Sequence, residues 1–170
     1  INFLKANIFN KKTFKNIGSF DVVINCIGWT KNFNKINYDY TKIKNRYKIY
    51  FDLIKMYLIN NKIPMFIELG SSNEYGLRKE KFTENSICKP KTKYGVIKKN
   101  NSLLLKKFSY QLKTTFIILR IFSLFGNFNN KGRLIEHIKS NDKLKIKNPF
   151  LKSDFISINY LIKIIKIIIK

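Results

Sequence analysis

Hydrophobic and polar positions alternate between two patterns along this chain. Short apolar runs occur at Asn2–Ala6, Asp21–Ile27, Pro64–Leu69 and Thr114–Ile121. They are too brief for helices and nearly continuous, as in strands covered on both faces. Between them lie longer stretches with helical spacing. Tyr40, Ile43, Tyr47, Ile54, Tyr57 and Leu58 recur at three- and four-residue steps or their multiples and predict one amphipathic helix. A second is predicted from near Lys93, carrying Val96, Leu103, Leu104 and Phe108. Strands alternating with helices imply βαβ units and a parallel sheet. After Gly126 the pattern breaks. Asn127–Gly132 reads as a polar loop, Leu134–Ser140 as a short helix, and Lys143–Lys147 and Asp154–Ile158 as short strands. Asn159 is the expected cap of a last, core helix whose Lys163, Lys166 and Lys170 form one polar stripe.

In such a sheet the ligand sits at the carboxyl ends of the strands. Gly28, Ser71 and Ser123 each fall at or just after a predicted strand end. A tyrosine and a lysine four apart, Tyr94 and Lys98, share a face of the second helix. Alone, such a pair in a lysine-rich chain reads equally well as a solvated helix face. Ser71, reaching the same point from a strand end, makes a three-group proton-transfer site. Oxidising an alcohol removes a hydride and a proton, and the proton needs a base within hydrogen-bond reach. A phenol ionises near pH 10, and a neighbouring ammonium favours its phenolate. Hence Ser71 would hold the reacting oxygen, Tyr94 would transfer the proton, and Lys98 would tune Tyr94. The pattern points to hydride transfer at a sugar carbinol or ketone with a nicotinamide cofactor.

Composition changes the picture little. The 170 residues are 45% hydrophobic, enough for a globular core. The net charge of +24 suggests nucleic acid, but the lysines are spread along the chain and no recognition motif accompanies them. Lys, Asn and Ile, all abundant, share AT-rich codons. Neither nucleic acid nor membrane is expected as a partner. Two cysteines, Cys26 and Cys88, lack metal spacing and suit a reducing cytoplasm, with Cys26 expected in the core. A lone histidine, His137, argues against zinc sites and histidine triads, so no metal is expected. Glu74 reads as a solvated loop carboxylate, and Tyr75-Gly76 as structural. Arg133 is a candidate for a substrate phosphate, weighed against a plain surface arginine.

The order of motifs resembles the extended short-chain dehydrogenase/reductase family, the NAD-dependent epimerase/dehydratase group acting on nucleotide sugars. The resemblance rests on Phe3–Ile8, Asp21–Gly28, Phe66–Gly76, Pro90–Gly95 with Lys98, Leu119–Gly126 and Asp154–Ile158. It implies a Rossmann-like parallel sheet with helices on both faces over residues 1–126, and the start of a substrate-binding region over 127–170 with a helix returning to the core. It implies NAD or NADP as cofactor, held by Asn7, Ile8, Cys26, Ile27, Gly28, Asn45, Tyr94, Lys98 and Ile121. A nucleotide sugar would meet Ser72, Asn73, Ser123 and Arg133, and the family leaves room for a homodimer. The glycine-rich phosphate-binding turn that opens the family is missing, so the chain is expected to be an internal, N-terminally incomplete fragment. The family's dehydratases carry an acid–glutamate pair after the catalytic hydroxyl, where Ser72-Asn73 stand here. Epimerase or 4-ketoreductase chemistry in polysaccharide or deoxysugar synthesis is therefore favoured. A non-catalytic nucleotide-binding or scaffold fragment of the same fold is the alternative.

Overall fold

A computed structural model describes residues 5, 7–15, 17–28, 40–77, 81–126, 135, 138 and 154–170. It divides into two compact units, residues 1–120 and 121–170. The first unit runs α1 (Lys11–Lys15), β1 (Val22–Asn25), α2 (Tyr40–Asn61), β2 (Met65–Ser71), a 3-10 turn (Ser72–Glu74), α3 (Lys93–Gln111) and β3 (Thr115–Ile121). The sheet order is β1-β2-β3. β1 and β2 are parallel, with Val22 opposite Met65 and Asn25 opposite Glu68. This is the Rossmann-like parallel sheet with helices that the alternation predicts.

The helices form because their apolar residues share a stripe. α2 buries Ile43, Tyr47, Tyr50, Leu53, Ile54, Tyr57 and Leu58, all at helical steps. Its stripe meets α3 and the sheet in a core centred on Leu58, Ile63, Phe66, Leu105 and Phe108. Phe66 is fully buried and stacks on Phe116 with ring centroids 6.1 Å apart. α3 starts where Thr92 caps it, its hydroxyl accepting from Gly95 N–H at 3.0 Å. The buried stripe of α3 runs through Ile97, Leu105 and Phe108 rather than through Leu103 and Leu104, which are both exposed. In a run of three leucines the helix turns only one fully inward.

The second unit pairs β4 (Ser123–Phe125) in parallel with β5 (Phe155–Ser157), followed by α4 (Ile158–Ile168). Asp154 is exposed, and its carbonyl accepts from Ser123 N–H at 3.1 Å. Ser157, not Asn159, caps α4, its hydroxyl accepting from Tyr160 N–H at 3.1 Å. The strand ends one residue before the helix begins, so the cap falls on the strand's last residue. α4 is less of a core helix than expected: Leu161 is its buried residue, and Ile162, Ile167 and Ile169 are exposed along with Lys163, Lys166 and Lys170. Ile135 and Ile138 are helical. The predicted strand Asn2–Ala6, apart from Lys5, lies outside the described residues, as do the loop Asn127–Gly132, Arg133 and the strand Lys143–Lys147. Among the described residues no helix is long and apolar enough to cross a membrane.

Candidate active site

The site begins where β2 stops. Ser71 closes the strand and caps the 3-10 turn that follows. Its hydroxyl accepts from the backbone and side-chain amides of Asn73, both at 3.3 Å, while Ser71 N–H donates to Glu74 Oε1 at 2.8 Å. This reciprocal capping box fixes the direction of the Ser71 side chain. Glu74 is fully buried and accepts from Arg120 Nε at 3.2 Å, so it is no solvated loop carboxylate. The Arg120 guanidinium lies over the Tyr75 ring, 4.9 Å from its centroid. Gly76 has φ of +87°, and a Cβ there would lie 1.9 Å from the Lys89 carbonyl oxygen. A turn that only glycine makes thus brings 89–92 back to start α3 beside the strand end.

The first turn of α3 presents Tyr94. The Ser71 hydroxyl stands within hydrogen-bonding reach of its phenol. Burial holds the phenol above its ordinary ionisation range; Lys98 and the Ser71 bond pull it down, while Glu74 and Glu68 push it up. Gly28, exposed after β1, lies opposite: a Cβ on it would stand 3.9 Å from the Tyr94 hydroxyl. Gly28 thus borders the Tyr94 hydroxyl without a side chain of its own.

One turn along, Lys98 is 2% exposed, and its ammonium points inward. Nζ donates to Glu68 Oε1 at 2.8 Å and to the Leu69 carbonyl at 2.8 Å. Glu68 continues a buried chain of polar groups. Asn25 Nδ2 donates to Glu68 Oε2, and Asn25 Oδ1 accepts from the Tyr50 hydroxyl at 2.6 Å and from Ile27 N–H at 3.1 Å. Burial raises the Glu68 carboxyl above its ordinary value of 4.5, opposed by Lys98 and Asn25. Burial likewise raises the Tyr50 phenol. Sequence reasoning passed over Glu68, Asn25 and Tyr50. The signal was present: Asn25 and Glu68 each interrupt an apolar strand run, at positions that pair in register.

Ser71, Tyr94, Lys98, Gly28 and Asn73 thus come together. Ser72 is half-buried in the same turn. Ile8 and Ile27 pack against the main core. Cys26 is exposed rather than in the core, because the neighbouring inward place on β1 is taken by Asn25. Asn45 is exposed on α2, and exposed Asn7 accepts from Phe9 N–H at 3.0 Å. Ile121 ends β3, and Ser123 opens β4 in the second unit. Arg133 lies outside the described residues.

Residues 1–151 match the NAD dependent epimerase/dehydratase family. The chain belongs to that family. No curated protein matches it in sequence. Among solved structures it is similar to UDP-glucose 4-epimerase from Thermotoga maritima with UDP-glucose, at 15% identity and a TM-score of 0.77, over 95% of this chain and 56% of that one. It is similar to the dTDP-glucose 4,6-dehydratase DesIV from Streptomyces venezuelae with NAD bound, at 10% identity and 0.79, over 96% and 53%. It is also similar to RMD from Pseudomonas aeruginosa complexed with NADPH, at 15% identity and 0.79, over 94% and 61%. This family member therefore shares their fold and spans little more than half their length.

Proposed function

We propose that this chain carries the proton-transfer site of an NAD(P)-dependent nucleotide-sugar epimerase or 4-ketoreductase, cytoplasmic and serving polysaccharide or deoxysugar synthesis. The observation that carries this reading is the convergence of Ser71 and Gly28 on the Tyr94 phenol, with the Lys98 ammonium buried one helical turn away. Ser71 holds the reacting sugar oxygen; Tyr94 gives it a proton or takes one; Lys98 favours the phenolate. The strand end Cys26–Gly28, with Tyr94 and Lys98, would hold the cofactor, and Gly28, bordering the phenol without a side chain, would let a flat ring approach there. When bound, the nicotinamide supplies or accepts the hydride. Residues 1–126 would form the cofactor side and 127–170 the substrate side, with Arg133 from the second and Ser123 from the end of the first meeting the substrate.

Dehydratase chemistry is disfavoured by the turn after Ser71. Asn73 is engaged with Ser71 Oγ, and Glu74 is held by Ser71 N–H and Arg120. Neither is placed as a free base. The test is turnover of UDP- and dTDP-linked sugars by a protein carrying this chain. Tyr94→Phe should lower kcat by about 10²–10⁴-fold and leave cofactor affinity largely intact, since Lys98 and the strand end Cys26–Gly28 remain. Unchanged turnover rejects the reading.

One observation favours a second reading, a non-catalytic nucleotide-binding or scaffold chain of the same fold. Lys98 spends two donors on internal acceptors instead of presenting them outward. Turnover separates the two, since neither a nucleotide-binding nor a scaffold chain converts the sugar; titration with NADH and NADPH then divides the second reading, since a pure scaffold binds neither.

A further inference from the structure

Glu68 is a carboxylate in the middle of a sheet, 2% exposed, on β2 between β1 and β3. An isolated charge there would be strongly disfavoured. Its two oxygens are divided between two elements. Oε1 accepts from Lys98 on α3 at 2.8 Å, and Oε2 accepts from Asn25 on β1. Asn25 is fixed in turn by Tyr50 on α2 and by the backbone at Ile27. Four elements therefore converge to aim one carboxylate at one ammonium. A lysine with a four-carbon stem has many rotamers, and this arrangement leaves Lys98 one position.

That position matters because Tyr94 lies one turn away on the same helix. We propose that Glu68 is a positioning residue of this site: it holds the Lys98 ammonium in place and partly neutralises it, and so sets how strongly Lys98 draws the proton from Tyr94. This rests on the proposed role of Tyr94 for its functional meaning, but not for its physics. The charged and titratable groups facing Tyr94 are Lys98 on its own helix, Glu68 and Ser71 on β2, and Glu74 in the 3-10 turn. Those facing Glu68 are Lys98, Glu74 and, weighing its charge from their own side, Cys26 on β1 and Tyr50 on α2. Burial and the carboxylates favour the phenol; Lys98 and Ser71 favour the phenolate. Removing the Glu68 charge strips away one opponent and frees the full field of the ammonium.

The experiment is tyrosine titration in the 170-residue chain, with [¹³Cζ]tyrosine followed by NMR and the Tyr94 line assigned from a Tyr94→Phe sample. In Glu68→Gln, an isosteric change, the Tyr94 midpoint should fall by about one pH unit. In a Lys98→Met background the same substitution should move it less, since only the direct repulsion between the Glu68 carboxylate and the phenolate is left to lose. An unmoved midpoint in folded Glu68→Gln, or an equal shift in both backgrounds, overturns the proposal. If Glu68→Gln does not fold, the wild-type chain carries the test. The Tyr94 resonance must then respond as the Glu68 carboxyl, observed through its own ¹³Cδ, titrates; independence of the two overturns the proposal. No substrate or cofactor is present, so failure here leaves the kinetic test of Tyr94 standing, and a null result there leaves this one standing.

Discussion

Gly95 stands so close to Asn73 that a Cβ on it would lie 2.3 Å from the Asn73 carbonyl oxygen. The contact seats the first turn of α3 against the turn after β2, and so sets Tyr94 beside Ser71. In an ordinary helix, glycine to alanine gains about 1 kcal/mol. Here the sign reverses, because the obstacle is backbone and cannot swing aside. Gly95→Ala should destabilise the chain by about 1–3 kcal/mol, read by urea unfolding. A gain in stability would show that the two turns are not packed this closely.

Three consecutive leucines give an internal control. Leu105 is 3% exposed, whereas Leu104 is 48% exposed. Leu105→Ala should cost about 2–5 kcal/mol through lost burial and a residual cavity. Leu104→Ala should cost about 0.5 kcal/mol or less, as for a surface substitution. Equal losses in thermal or chemical unfolding would mean that α3 is rotated from the described orientation.

Glu68 links stability to pH. Its folded-state pKa is raised above the ordinary 4.5 by burial. Between that value and the raised one, the folded chain binds more protons than the unfolded chain. The group's contribution is thus fully present below about 4.5 and is lost as pH rises through the folded value. The wild-type chain should lose stability over that window relative to Glu68→Gln, which has no proton to release there. Parallel stability–pH curves for the two proteins, measured by urea unfolding at a series of pH values, would contradict a raised carboxyl.

Glu74 ties three segments together through Ser71 N–H and Arg120. Glu74→Ala removes a capping acceptor and leaves the Ser71 amide without that partner. A loss of about 1–3 kcal/mol is expected, with Ser71 less firmly aimed at Tyr94. In the kinetic assay kcat should fall with KM little changed, because orientation rather than binding is lost. A variant that unfolds normally and turns over normally would make Glu74 a bystander.

Much of the fold was legible because periodicity reports burial directly. The strand runs ending at Ile27, Leu69 and Ile121, and the stripe of α2, correspond to β1, β2, β3 and the buried face of that helix. Ser71, Tyr94 and Lys98 could be nominated from residue type and spacing, since i and i+4 on a helix share a face whatever surrounds them. Which leucine of three turns inward was not legible. Nor was the cap of α4, because strand and helix abut there and Ser157 serves both.

By itself the sequence determined the order of elements, the family, and the three groups that carry the candidate chemistry. The elements and the Tyr94–Lys98 pair depend on residues near one another in the chain, and the family on the order of such short motifs. Tertiary structure alone decided that Lys98 turns inward, that Glu74 is buried, and that Asn25, Glu68 and Tyr50 form one polar network. Those contacts join residues 25, 30 and 46 positions apart in the chain. No local pattern encodes them. A lysine or glutamate on a helix or turn reads as solvated until the partner that makes its burial tolerable is brought alongside.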